Sequence, residues 1–474
     1  MFEIFSYFDA WVIPTVFLAS LALCGFAALK SDLFLNQDFM VRDLAAPQAQ
    51  HTRPTPRVGG AAMIAALFLG GVLLSDQLQS DLKFALLSGL VVFFVGLRED
   101  VARDMSPKVR LVAAFISAAL AIEVSGMMVP GLGLPQIDIL FTSLLIALFV
   151  TLVWSAGTAN ALNLIDGLNG LASGYAILAA AGLFAIAGFT GETDIQLVSI
   201  LLIAAMLGFF VVNWPFGCIF MGDAGAYGSG HVLAWLGIIL MARNPDVAGV
   251  AVLLLLFWPV ADTVFSIVRR RLGKQAAGQP DRSHFHHLVL HALQYLLEDR
   301  LGWLVDSRTR NSFASLILWP FMAAPIFFGV LFWDSPGKAL VTFLFFSFLY
   351  VTTYIALKTY FVGRRIPFTM MLEPAETKLL GPDFEPSTFS GMYIQGSVAV
   401  DVQIFRGTSS NRWSLSTLAD NARDLIWEEQ FDSEIEAWEF FLMTARNFGM
   451  QAVMGPQLQR SALQDSTHSF GYDC

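Results

Sequence analysis

Asn160, Asn163, Asp166 and Asn169 recur at every third position of Asn160-Ala-Leu-Asn163-Leu-Ile-Asp166-Gly167-Leu-Asn169-Gly170, directly before an apolar run that reads as a membrane segment. On a helix that spacing stacks the four polar side chains along one slowly drifting face and turns Leu162, Leu164, Ile165 and Leu168 elsewhere. A carboxylate at the centre of a bilayer costs roughly 2.5 to 3.5 kcal/mol even on insertion scales, so the stripe must face a wet or protein-lined cleft. Two more aspartates keep comparable company: Asp100 in Arg98-Glu99-Asp100, and Asp223 in Phe220-Met221-Gly222-Asp223. Such carboxylates are hard oxygen donors suited to magnesium, which keeps waters and binds through one or two carboxylates plus phosphate oxygens; manganese is the alternative. Arg269-Arg270-Arg271 and Arg282-Ser283-His284-Phe285-His286-His287 supply charge-assisted donors to phosphate. Joining a soluble diphosphate to a phosphate anchored in a membrane needs this neutralisation, so the inventory fits phosphoryl transfer between a nucleotide and a lipid.

The elements that must position these residues are membrane helices. Hydrophobic residues make up 56% of the chain and charged ones 14%, and apolar windows of membrane-spanning length recur. The fold class expected is an all-α polytopic membrane protein of about eleven transmembrane helices with a small cytosolic C-terminal α+β domain. Spans are expected near 11–29, 59–75, 82–97, 109–124, 139–154, 171–189, 195–212, 225–241, 247–267, 313–333 and 339–361. Arg42, Arg53 and Arg57 follow the first, Arg98, Arg103, Lys108 and Arg110 the third, and Arg269 to Arg271, Lys274 and Arg282 the ninth. Those loops are expected to be cytosolic, with the N-terminus outside, the C-terminus inside and Arg243 and Lys338 minor exceptions. On this topology every polar cluster falls on the inner face of the membrane. Glu3 and Asp9 precede the first span with no basic residue, so it is expected to be retained rather than a cleaved signal.

The transmembrane domain is expected over 1–362 and the appendage over 363–474, where long apolar runs end, Val398–Phe405 alternates like a strand and Asp432–Phe448 has amphipathic helical spacing. Its role does not follow from the residues. Three cysteines, Cys24, Cys218 and Cys474, imply no disulfide framework.

Blander readings stand beside the chemical ones. Asp223 could be a helix cap, the stripe could bind helices together, and Arg269 to Arg271 could simply anchor a span. His287 and His291, four apart, could ligate zinc. Asp262, inside an apolar span, reads as a buried structural partner. A transporter of a phosphorylated metabolite would also carry intramembrane polar groups, but it would place them at the midplane and show paired repeats, which are not visible here. An inactive scaffold is the third reading.

The chain resembles the polyprenyl-phosphate N-acetylhexosamine-1-phosphate transferases over about residues 40 to 365. The resemblance rests on Pro56-Arg57-Val58-Gly59-Gly60, Glu99-Asp100 followed by Ser106-Pro107-Lys108, Asn163 to Gly170, Phe220 to Asp223, Pro259 to Asp262, and His284 to His287. It implies a magnesium-dependent reaction in which undecaprenyl phosphate displaces UMP from a UDP-N-acetylhexosamine and initiates a cell-surface polysaccharide. It also implies catalytic Asp100, Asp166, Asp223 and Glu99, with Asp223 and Asp100 toward the metal. Asn163, Asn169, Asn213 and Phe220, with Asp166, would hold the nucleotide side, and Arg269, Arg270, Arg271, Arg282, His284, His286 and His287 the diphosphate and sugar. The tract lacks three consecutive histidines followed by Phe-Glu, so the resemblance is to the antigen-initiating branch rather than the peptidoglycan translocase. The family usually shows Asp-Asp where this chain has Glu99-Asp100, and often a second aspartate where it has Asn169. The partners implied are the sugar nucleotide, the lipid and the membrane, with no nucleic acid; a homodimer is left open.

Overall fold

The computed structural model describes residues 11–31, 55–272, 283–300, 307–362, 384–387, 389–395, 398–407, 412–419 and 425–448. The chain divides into two compact units, 1–358 and 359–474.

The helices of the first unit are α1 (Val12–Leu29), α2 (Gly59–Leu73), α3 (Ser80–Ser88), α4 (Leu90–Ala102), α5 (Pro107–Ser125), α6 (Leu144–Ile165), α7 (Leu171–Thr190), α8 (Thr193–Asn213), α9 (Gly222–Arg243), α10 (Gly249–Leu255), α11 (Phe257–Leu272), α12 (Phe285–Gln294), α13 (Ser307–Leu331) and α14 (Pro336–Val362). Among the described residues eight spans are long and apolar enough to cross a membrane, α3 and α4 together counting as one, and a ninth is made if α10 and α11, bent by 85°, count as one. That is fewer than the eleven expected. The expected span at 59–75 is a 15-residue helix. The one at 109–124 is helix α5, which carries Lys108, Arg110 and Glu123 within 19 residues. Outer helices present Leu18, Phe26, Phe149, Phe327 and Phe348 on exposed faces, as a chain solvated by lipid requires.

Helix α9 is the post around which this unit is built. Its most apolar stretch is entirely buried within protein, and α2, α3, α4, α6 and α7 all pack against it. Small residues allow this: a β-carbon on Gly60 of α2 would overlap Gly225 of α9, and one on Gly96 of α4 would meet the Ala224 nitrogen at 2.7 Å. At the C-terminal end of α9, Arg243 donates to Asp81 at 3.1 and 2.7 Å, to Glu192 at 2.9 Å and to Asp194 at 3.0 Å. This accounts for one of the two basic residues that stood against the charge rule, since three carboxylates surround Arg243.

The second unit is an antiparallel sheet of β1 (Phe384–Pro386), β2 (Gly391–Gln395), β3 (Val398–Gly407), β4 (Trp413–Ala419) and β5 (Leu425–Phe431), in the order β1-β3-β4-β5 with β2 also on β3. Helix α15 (Glu434–Phe448) covers it. Val402, Ile404, Leu415 and Phe431 of the sheet and Ala437, Phe441 and Ala445 of the helix form its core.

Candidate active site

Helix α4 runs on to Ala102 before Arg103, at φ 51°, ends it. Glu99 and Asp100 therefore sit in its last turn rather than in a loop, because the left-handed residue that stops the helix comes three positions later. Ser106 then caps α5, its Oγ accepting the Val109 N–H at 3.3 Å with Pro107 at the first helical position. This places Arg110 one turn into α5, where its guanidinium pairs with Asp223.

Asp223 lies in the first turn of α9, and its own side chain does not cap that helix. Asp100 does so from the neighbouring helix: its two oxygens accept the Asp223 and Ala224 N–H groups at 2.8 and 2.9 Å. The approach demands a glycine at 222, with φ 71° and no space for a β-carbon, which would meet the Asp100 carboxylate at 2.6 Å. The Asp223 carboxylate is thereby left to side chains, accepting from Asn163 Nδ2 at 3.0 Å on one oxygen and from Arg110 on the other. Asp100 and Asp223 are both buried, at 8% and 6% exposure.

The polar stripe does not lie on one helix face. Helix α6 ends at Ile165, and Gly170, at φ 73°, starts α7. Asn160 turns back onto the Ala156 carbonyl of its own helix at 2.7 Å, Asn163 faces Asp223, and Asp166 sits at the helix end. Asn169 belongs to the following turn, giving its Nδ2 to the Pro215 carbonyl at 3.3 Å and its backbone N–H to Asn311 Oδ1 at 2.6 Å. Asn213 joins the two loops: its Oδ1 accepts from the Gly170 nitrogen at 2.6 Å and its Nδ2 donates to the Ile219 carbonyl at 2.7 Å. Phe220 is tied by its backbone, donating to the Pro56 carbonyl at 2.9 Å and accepting from the Gly59 nitrogen at 3.1 Å. That ladder brings the Arg57 segment beside Asp223. Arg57 acts electrostatically on Glu99, Asp100 and Asp166 alike. Glu99 itself accepts the Met105 N–H at 2.9 Å.

Asp166 is half-buried. Burial raises its carboxyl from the ordinary carboxylate range to about 7, with Asp223 adding to the rise and Arg57 opposing it.

The histidine tract reaches the same loop. A β-carbon at Gly167 would meet His286 Nε2 at 2.5 Å, so the imidazole packs on the turn that carries Asp166. Burial, then the neighbouring His287 and His284 rings, hold His286 well below the usual imidazole range, so it is neutral. His284 Nδ1 lies 2.7 Å from Asp262, which also accepts from the Phe285 nitrogen at 3.1 Å and the Tyr350 hydroxyl at 2.6 Å. Asp262 is the buried structural partner expected, and it orients the tract. Arg269 and Arg270 are half-buried near the end of α11 and Arg271 is exposed; Arg282 lies outside the described residues.

Arg57, Arg110 and Asn311 complete a site that sequence reasoning named without them. Arg110 is read from the sequence only as a marker of orientation, Arg57 as that and as part of a family motif with no role assigned to it, and Asn311 belongs to no motif.

Among the described residues no three His, Cys, Asp or Glu side chains gather in a metal-ligating group. The His287/His291 reading as a zinc site does not fit that donor set. A hard ion that takes one or two carboxylates and keeps its other positions for water and phosphate does fit Asp223. Four acids, two arginines and a set of amides are thus brought together from remote segments of a multi-pass membrane protein.

Comparison with known proteins agrees. The glycosyl transferase family 4 model matches residues 82–241. A probable undecaprenyl-phosphate N-acetylglucosaminyl 1-phosphate transferase of Bacillus subtilis is 28% identical over 241 residues, covering 51% of this chain and 67% of that protein. The undecaprenyl-phosphate alpha-N-acetylglucosaminyl 1-phosphate transferases of Salmonella typhi and Escherichia coli K12 are each 31% identical, with the same shares covered. The chain belongs to glycosyl transferase family 4, within the polyprenyl-phosphate N-acetylhexosamine-1-phosphate transferases that its motifs resembled.

Proposed function

We propose that this protein transfers N-acetylhexosamine 1-phosphate from a UDP-sugar to a polyprenyl phosphate, releasing UMP and leaving a lipid-diphosphate sugar. The observation that carries the reading is the convergence of Asp100, Asp223, Asn163 and Arg110 from four helices, with Asp166 on the adjoining turn. The activities named for the bacterial relatives, which the chain matches over about two thirds of their length, support it. A phosphate oxygen of the lipid forms the new bond to the β-phosphorus, and the bond between that phosphorus and the bridging oxygen breaks, the electron pair leaving with UMP.

Each residue has a job on this reading. Asp223 would hold magnesium, which supplies Lewis-acid neutralisation of phosphate oxygens. Asp100 fixes the first turn of α9 and so aims Asp223. Arg110 exchanges its partner, Asp223, for an incoming phosphate oxygen, a planar fork being suited to that role. Neutral His286 donates a hydrogen bond without adding charge beside Asp166. Asn213 shapes the nucleotide loop through backbone bonds that engage both of its amide atoms, and Asn169 ties the same loop through its Nδ2. Basic loops support a site on the cytosolic face of a bacterial plasma membrane, with the N-terminus outside and eleven crossings once α2 and α5 are counted.

The test uses purified protein in detergent with a panel of UDP-N-acetylhexosamines. UMP release is expected only when polyprenyl phosphate and magnesium are both present. Absence of release across the panel overturns the reading, and counter-flow of a phosphorylated sugar in vesicles would replace it with transport.

A further inference from the structure

The span Ser80–Ala102 is broken inside the apolar region. Gly89 donates its N–H to the Leu86 carbonyl, three residues back, at 3.1 Å, and the helix is interrupted between α3 and α4. The Ala85 carbonyl thereby loses its helical partner on a fully buried residue, where an unmet carbonyl is costly. Two side chains take it up: Ser88 Oγ at 2.7 Å, and His231 Nε2, from helix α9, at 3.0 Å. A carbonyl only accepts, so Nε2 carries the proton. The Ser88 carbonyl, freed by the same break, accepts from Ser117 Oγ of α5 at 2.6 Å. Gly89 gives the imidazole its seat, since a β-carbon there would meet His231 Cδ2 at 2.6 Å. His231 is 1% exposed, and no step of the proposed reaction uses it.

His231 and Asp223 lie on the same helix, eight residues or about 12 Å apart. Asp100 lies on α4, beyond the break that His231 fills. The broken span and α9 are thus fastened at two polar points, His231 on the Ala85 carbonyl and Asp100 on the Asp223 and Ala224 nitrogens, with Gly96 in backbone contact near the second. Hydrogen bonds of 2.8 and 2.9 Å do not survive a slip of one ångström between the helices.

We propose that His231 is a positioning residue for the site: it pins the break at Gly89 and so keeps α4 in the register from which Asp100 caps α9 and aims Asp223. The activity arm of the test rests on the transfer reading; the amide arm does not. In full-length protein in detergent, deuterium exchange resolved at the Asp223 and Ala224 amides is expected to speed up by roughly five- to tenfold in His231→Ala, the size of one buried hydrogen bond lost. UMP-release kcat is expected to fall by a similar factor with KM for the UDP-sugar unchanged. His231→Gln, which keeps a donor within reach of the carbonyl, is expected to recover most of both, and Ser117→Ala to give the same signature more weakly. Trp235→Phe, one turn further along α9, removes a buried bond to Ser155 and is expected to leave the two amides unchanged. Unchanged amides in both His231→Ala and Ser117→Ala overturn the proposal, as does an equal change in Trp235→Phe. If His231→Ala does not fold, His231→Gln and Ser117→Ala carry the same decision. Wild-type protein that turns over nothing refutes the transfer reading and leaves the amide result standing.

Discussion

Asp100 accepts the backbone N–H groups of Asp223 and of its neighbour Ala224 on separate carboxylate oxygens, at 2.8 and 2.9 Å, so the acid of one helix caps the helix that presents the other. The unsatisfied donors of a helix N-terminus and its positive dipole end both favour an anion there. The arrangement leaves the Asp223 carboxylate clear of its own backbone.

Removing that cap should cost stability as well as activity. Asp100→Ala leaves two buried N–H groups unmet, at about 1 to 3 kcal/mol each, whereas Asp100→Asn keeps one acceptor. The thermal midpoint in detergent is expected to fall in the order wild type, Asn, Ala. A midpoint for Asp100→Ala equal to wild type would show that the cap contributes nothing.

Asp223→Ala and Asp223→Asn are expected to retain the fold and lose UMP release by about a hundredfold or more, the scale of removing one group that neutralises charge in a transition state. The loss should not be recovered by raising magnesium. Near-normal turnover in either variant would remove Asp223 from the metal.

Asp166 gives a pH signature of defined sign. Its carboxyl is raised to about 7 in the folded protein against 3.8 for the free group, so the folded state holds a proton that the unfolded chain gives up. Stability is therefore expected to decline as pH rises from about 4 to about 7 and to level off above that. Asp166→Asn should flatten this part of the profile of midpoint against pH. An unaltered slope in the variant would assign the titration elsewhere.

Asn213→Ala should act through structure, because both of its amide atoms bind backbone. The Gly170 N–H and the Ile219 carbonyl are each left buried and unpaired, and the midpoint is expected to fall by several degrees. Saturating UDP-sugar should not restore it. A stable variant with only a raised KM would make Asn213 a direct ligand after all.

The polar stripe was legible as polar from its spacing, but not as the end of a helix. The stop after Ile165 depends on Gly170 adopting φ 73° beneath the Trp214 ring and on Asn213 reaching across from another loop, and no local pattern carries that. Arg110 was visible yet explained by the rule for basic loops, which accounts for any cytosolic arginine and so distinguishes none, while Arg57 stood in a family motif with no role assigned to it. Asp262 was read as a buried partner because an isolated acid in an apolar span must find one, and it found His284 and Tyr350. The extra turn on α4, which carries Glu99 and Asp100, was missed because charged residues end an apolar window before they end a helix. Val398–Phe405 and Asp432–Phe448 fall on β3 and α15, where alternation and amphipathic spacing are local properties.

Arg243 ties the far end of α9 to Asp81, Glu192 and Asp194, while Asp100 ties its beginning. A rod of 22 residues anchored at both tips, about 33 Å apart, cannot slide like a piston. On the proposed function, the movements that admit one substrate and release another would then fall to the parts that surround it.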